Sequence, residues 1–189
     1  MRAQVLTQAV IGHDTVIRKA GLVLGGSLFI ALAAQVSVPF FPVPLTLQTL
    51  AILIVGLTFG SRLGAATLLA YLAEGAMGLP VFAGAQGAAS LVGPTAGFLY
   101  GFVAMAWLAG LAVERGIARG LVSTALVGVA VSALLYIPGL AWPALVMGKA
   151  LPDLWAYWMA PFLLGDVVKA VIAAMVVRGG WTAVRARRG

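Results

Sequence analysis

Asp166 and Lys169 place a carboxylate and an ammonium three residues apart in a stretch otherwise built of Leu, Val, Ile, Ala, Met and Phe. That spacing brings both side chains onto one face of a helix. Inside a membrane each charge costs at least ~2.5–3.5 kcal/mol on the insertion scale, so an inward-facing pair marks a functional site by default. The competing reading is a neutralising pair that holds the bundle together, and buried ion pairs are poor stabilisers. Gln48 and Glu74 are the next polar candidates, and Tyr71, Phe82, Tyr100 and Trp158 fall where an outer pocket opens between spans.

The rest of the chain supplies the membrane. Of 189 residues, 62% are hydrophobic and only 9% are charged, against about 25% charged in an ordinary soluble domain. With a mean hydropathy of +1.08, the length holds roughly six spans of about 20 residues and no soluble domain beside them. We therefore expect an all-α integral membrane protein, one polytopic domain over 1–189 with spans near 20–38, 45–60, 63–79, 95–113, 119–141 and 157–178. Arg2, Arg18, Lys19, Arg62, Arg115, Arg119, Arg178, Arg185, Arg187 and Arg188 fall on one side of that arrangement, Lys149 on the other, and Lys169 inside a span. Such asymmetry places both termini in the cytoplasm and requires an even number of spans. The net charge of +7 is then topological, with some attraction to anionic headgroups, and no basic face with interleaved aromatics points to nucleic acid. Trp142, Trp155, Tyr157 and Trp158 flank the fifth loop as interface anchors, with Trp181 on the inner side. Ala31-Leu32-Ala33 imitates a cleavage site, but the charged leader before it is long for a signal peptide, and the first span is kept. Cysteine is absent, which removes disulfides, thiol nucleophiles and thiolate metal sites.

Two connections on the outer side carry no charge. Residues 80–94 are Gly-rich and moderately apolar, which reads as a lid or re-entrant cap over a pocket. Pro39, Pro42 and Pro44 stiffen the first loop. Together they suggest an enclosed site for a small neutral-to-amphipathic solute. If the regular part of the last span starts at Pro161, Asp166 lies about one and a half turns below the outer rim. Small residues recur at a spacing of four, including Gly56, Gly60 and Gly64, then Gly93, Gly97 and Gly101, as close helix packing requires. On the first span Gly21, Gly25, Ser27, Ala31 and Ala34 form a strip expected to dock another membrane subunit.

A family pattern runs through these residues. Val43-Pro-Leu-Thr-Leu-Gln-Thr-Leu50, Gly60-Ser-Arg62-Leu-Gly64, Tyr71-Leu-Ala-Glu-Gly75, Gly78-Leu-Pro-Val-Phe-Ala-Gly84, Gly93-Pro-Thr-Ala-Gly97 and Gly165-Asp166 with Lys169 together resemble the BioY family. These are the substrate-capture (S) components of energy-coupling-factor (ECF) biotin transporters in prokaryotes, and the likeness covers about 20–178. One departure is Ala96, where many relatives are expected to carry glycine. The resemblance implies a six-helix S-component fold in the cytoplasmic (inner) membrane, with a biotin pocket near the outer surface closed by the first and third loops. It implies a transmembrane coupling (T) protein and two cytoplasmic ATPase subunits as partners, and biotin as cargo with no cofactor. It makes Asp166 and Lys169 the polar anchors, with contacts from Gln48, from Tyr71 and Glu74 on span three, and from lid residues Phe82, Gly84, Gln86 and Thr95. The chemistry of biotin suits that set: its ureido head carries two N–H donors and a carbonyl acceptor, beside an apolar bicycle, an alkyl chain and a terminal carboxylate. Asp166 is expected to accept from a ureido N–H, and Lys169 to donate to the ureido carbonyl or to balance Asp166.

Other classes fit poorly. No G-x-x-x-x-G-K-[ST] loop is present, so the chain is not an ATPase. An intramembrane enzyme needs a nucleophile or metal set, yet H-E-x-x-H and G-x-S-x-G are missing and the single histidine, His13, falls in the leader. A solitary carrier working without ATPase partners is the alternative, weakened by the lack of clear inverted repeats.

Overall fold

The computed structural model describes residues 5–11 and 15–187; Arg2, His13 and Arg188 lie outside them. Among these residues eight α-helices follow in order: α1 (Leu6–Ile11), α2 (Val16–Gln35), α3 (Gln48–Phe59), α4 (Ser61–Ala76), α5 (Ala96–Glu114), α6 (Leu121–Met147), α7 (Leu151–Asp153) and α8 (Ala160–Ala186). A π-helical stretch, Leu154–Met159, joins α7 to α8. The fold is not purely α: β1 (Ser37–Val38) and β2 (Leu45–Thr46) pair antiparallel across the proline-rich first loop, with Ser37 opposite Thr46 and Val38 opposite Leu45. Extended backbone is what three prolines in eight residues favour.

Among the described residues four helical stretches are long and apolar enough to cross a membrane: Val16–Gln35, Ala96–Glu114, Leu121–Met147 and Leu151–Ala186. The two expected spans at 45–60 and 63–79 are shorter than drawn, 12 residues in α3 and 16 in α4. At ~1.5 Å per residue, α3 reaches well short of the ~30 Å hydrocarbon core. Its setting explains why this is tolerated. α3 packs against α2, α4, α5 and α8, burying Ala51, Ile52, Leu53, Val55 and Leu57, so protein rather than lipid surrounds it. Gly60 alone links α3 to α4, at φ +84, a conformation that suits glycine. Glu114 at the end of α5 caps the new helix, its Oε1 accepting from Ser61 N at 2.7 Å and Ser61 Oγ at 2.8 Å.

Helix α6 overruns its expected end at 141. It continues through Pro138 and Pro143 to Met147, where Gly148 stops it at φ +63. Membrane helices tolerate such prolines because neighbouring protein compensates the freed backbone groups. Close approach of α5 to α6 depends on small residues: a Cβ on Gly97 would collide with the Pro138 carbonyl, and one on Gly139 with the Phe98 ring. Gly56 sits equally tightly on Ala106 of α5. The Gly-x-x-x-Gly runs of α3 and α5 thus serve packing within the chain.

The strip on α2 does not stay together. Gly25 and Ser27 are two residues apart, which on a helix sends them to opposite faces. Gly21 and Gly25 are exposed beside a groove of about 210 Å³ bordered by Phe29, Ile54 and Phe59. Ser27, Ala31 and Ala34 are buried where α2 packs on α3 and α4, and the Ser27 hydroxyl donates to Glu74 Oε2.

Candidate functional site

Asp166 and Lys169 emerge from the first half of α8, past the irregular π-helical stretch, and face a cavity of about 360 Å³. That volume is typical of a small-molecule site. Both side chains are largely withdrawn, 12% exposed for Asp166 and 13% for Lys169, with Nζ 3.7 Å from Oδ1. Neighbouring helices hold each of them. Tyr136 of α6 donates to Asp166 Oδ2 at 2.6 Å, and Lys169 Nζ donates to Thr49 Oγ1 in the first turn of α3 at 3.0 Å. An ionised carboxylate has about four lone-pair sites and an ammonium three donors, so both retain capacity for a ligand. The site therefore offers an oriented acceptor and an oriented donor a few ångströms apart.

Aromatic and aliphatic side chains make the walls. Phe98 meets Tyr136 edge to face at 6.0 Å, Phe162 meets Phe40 in the same way at 6.0 Å, and Phe102, Leu99, Leu135 and Trp158 line the space between. The Trp158 indole N–H is buried with no hydrogen-bond partner among the described residues, an unusual state for a buried donor.

A short hairpin forms the cap. Phe82 and Gln86 bridge through backbone bonds, Phe82 N to Gln86 O at 2.9 Å and Gln86 N to Phe82 O at 3.3 Å. Phe82 and Gln86 line the cavity, as do Ser90, Pro94 and Thr95. The cap is fastened from two sides. Tyr71 packs its ring against Phe82 at 5.2 Å, accepts from Gln48 Nε2 at 2.8 Å and donates to Val81 O at 2.9 Å. At the end of α2, Gln35 Nε2 donates to Phe82 O at 3.0 Å and Gln35 Oε1 accepts from Ala85 N at 2.9 Å. Ala85 is the one non-glycine residue with positive φ, +56, among the described residues. The second bond thus helps fix an uncommon backbone state.

Of the nine residues expected at the ligand, Asp166, Lys169, Gln48, Phe82, Gln86 and Thr95 line the cavity. Tyr71 stands behind Phe82 and Gln48. Gly84, at φ +70, turns the hairpin beside the lining residue Ala83. Glu74 is placed elsewhere, bonded to Ser27 between α4 and α2. Tyr100 lies outside the cavity as well, donating to Leu91 O at 2.8 Å behind the cap. Thr49, Tyr136 and Gln35 were not singled out in the sequence. Thr49 follows Gln48 within the Val43–Leu50 motif, and a hydroxyl-bearing aromatic in an apolar span was the available signal for Tyr136.

Comparison with known proteins decides the family. The BioY family model matches residues 3–186. The chain belongs to the BioY family. A probable biotin transporter BioY of Pyrococcus horikoshii is 40% identical over 156 residues, covering 79% of this chain and 90% of the relative. The biotin transporter BioY of Rhodobacter capsulatus is 40% identical over 169 residues, covering 82% and 88%. Among solved structures, the biotin S component of an ECF-type ABC transporter superposes with a TM-score of 0.75 at 23% identity, covering 94% of this chain and 96% of that one. The fold is thus that of an S component, and this BioY protein is a multi-pass transport protein rather than an enzyme.

Proposed function

We propose that the protein captures biotin with high affinity at the outer face of the cytoplasmic membrane, as the S component of an ATP-driven ECF importer. In this reading the bundle crosses the membrane six times with both termini inside, α3 and α4 completing the count within the shelter of the longer helices. The observation that carries it is the capped cavity in which Asp166 and Lys169, held by Tyr136 and Thr49, present one acceptor and one donor among aromatic walls. The ureido head of biotin needs that combination, while its bicycle and alkyl chain suit Phe98, Phe102 and Trp158. Relatives described as biotin transporters support the choice of ligand.

Binding of biotin to the purified, detergent-solubilised chain, without partners, tests this directly. Charge-assisted hydrogen bonds are worth about 1.5–3 kcal/mol each, so Asp166→Asn and Lys169→Ala should each weaken binding at least tenfold. A folded wild-type chain that fails to bind biotin overturns the assignment. We assign partner docking to the exposed Gly21–Gly25 groove of α2, so Gly25→Leu should impair coupled uptake yet spare binding. Biotin uptake in cells lacking every coupling subunit would instead favour a solitary carrier.

A further inference from the structure

A second cavity lies at the opposite end of the bundle, where the C-terminal half of α8 passes the α5–α6 connection. It measures about 630 Å³. Arg119, Arg178 and Arg185 line it, and among the described residues no Asp or Glu does. Along α8, Arg178, Trp181, Thr182 and Arg185 follow the spacing i, i+3, i+4, i+7, which is one continuous helix face. One turn earlier on that face come Ala174 and Val177, both buried, so the lining passes from apolar to basic along the helix. Across the cavity stand Gly120 and Leu121, the start of α6. The Gly120 N–H is bonded to Ser123 Oγ at 3.0 Å and the first helical bond is Thr124 N to Gly120 O at 2.9 Å. The N–H groups of Leu121, Val122 and Ser123 therefore have no intrahelical partner, and the positive end of the helix dipole lies at the cavity wall.

We propose that this cavity binds the phosphate headgroup of an anionic phospholipid of the inner leaflet. Three guanidinium groups match phosphate oxygens bidentately, and a helix N-terminus adds anion-binding N–H groups. Free phosphate shares that chemistry. The lipid source follows from the lining: Val113, Ala118, Leu121, Ala174 and Val177 continue the basic rim into an apolar wall suited to the glycerol and first acyl carbons, and Trp181 is the side chain that favours headgroup depth. Basic pockets between membrane helices on the cytoplasmic side bind anionic headgroups in this way. Topology alone does not account for the cluster. Arg62 and Arg115 lie on the same predicted side and are outside the cavity, so the positive-inside bias does not require three arginines around one hollow.

The test is native mass spectrometry of the full chain released from nanodiscs of mixed phosphatidylglycerol and phosphatidylcholine, with biotin binding as the measure of folding. The wild type should retain phosphatidylglycerol in preference. The triple variant Arg119→Gln, Arg178→Gln, Arg185→Gln should lose that preference at least tenfold while still binding biotin; Arg62→Gln with Arg115→Gln should keep it. Arg178→Lys alone should give an intermediate result, because the charge stays while the bidentate fork is lost. Equal retention by the triple variant, or equal loss in the control, overturns the proposal. Displacement by inorganic phosphate in detergent with no preference among lipids makes the ligand a soluble anion and overturns it as well.

Discussion

Tyr136 shows how much of the candidate site rests on one hydroxyl. Its bond to Asp166 Oδ2 at 2.6 Å helps fix the carboxylate's rotamer and leaves Oδ1 beside Lys169 Nζ, 3.7 Å away. Tyr136→Phe keeps the ring contact with Phe98 and removes only that donor. Biotin affinity should fall about tenfold, as loss of one charge-assisted hydrogen bond predicts, with little change in melting temperature; titration calorimetry beside a thermal scan separates the two. Unaltered affinity would mean that Lys169 alone orients Asp166. Gln35 makes a kinetic prediction. Because it fastens the cap rather than lining the cavity, Gln35→Ala should speed biotin release about tenfold and leave association nearly unchanged, the signature expected when a weakened contact acts on the off-rate. Stopped-flow tryptophan emission is the readout, and equal slowing of association would place Gln35 in folding rather than closure. The Asp166–Lys169 pair was legible in the sequence because charge inside an apolar run stands out locally. Tyr136 and Thr49 were not, since their partners lie 30 and 120 residues away and their types are ordinary in membrane helices.

Among the elements, α4 has a role that its sequence hides. Gly75 faces the Phe82 ring so closely that a Cβ there would collide with it, so the small residue of α4 sets the depth at which the cap sits. Gly75→Ala should displace Phe82 and weaken biotin binding at least tenfold. Adding a methyl at an exposed helix position has the opposite tendency on stability, so a binding loss without unfolding identifies the cap as its cause. Equilibrium binding with far-ultraviolet circular dichroism makes the distinction, and unchanged affinity would show that the ring can move aside. Element positions were mostly readable from hydropathy, since apolar runs ended at Gly and charge near Phe59, Ala76 and Glu114. The overrun of α6 is not, because two prolines normally signal a stop and the helices packed beside α6, α5 through Gly97 and Gly101 and α8, are not visible locally in the sequence. The split strip of α2 was missed for a different reason. Gly21 and Gly25 keep a spacing of four, but Ser27 lies about half a turn from that line.

For the whole molecule, the absence of cysteine makes every introduced thiol a unique label. A membrane-impermeant maleimide applied to intact spheroplasts should modify Lys149→Cys and leave Arg62→Cys and Arg115→Cys unmodified until the membrane is opened. The reverse pattern, or labelling of all three, would overturn the six-span arrangement. Charge asymmetry is what motivates that arrangement; what charge cannot supply is the interior, because burial of α3 depends on which helices surround it. The pairing of Asp166 with Lys169 also bears on how the protein meets changing environments. Opposite charges 3.7 Å apart present a dipole, whose field decays within a distance shorter than the ~10 Å Debye length at 0.1 M salt. Mobile ions therefore have little to screen at this site, and biotin retention should vary less than about twofold as salt rises from about 0.05 to 0.5 M. A cell moving between dilute and saline surroundings would keep the same hold on its vitamin.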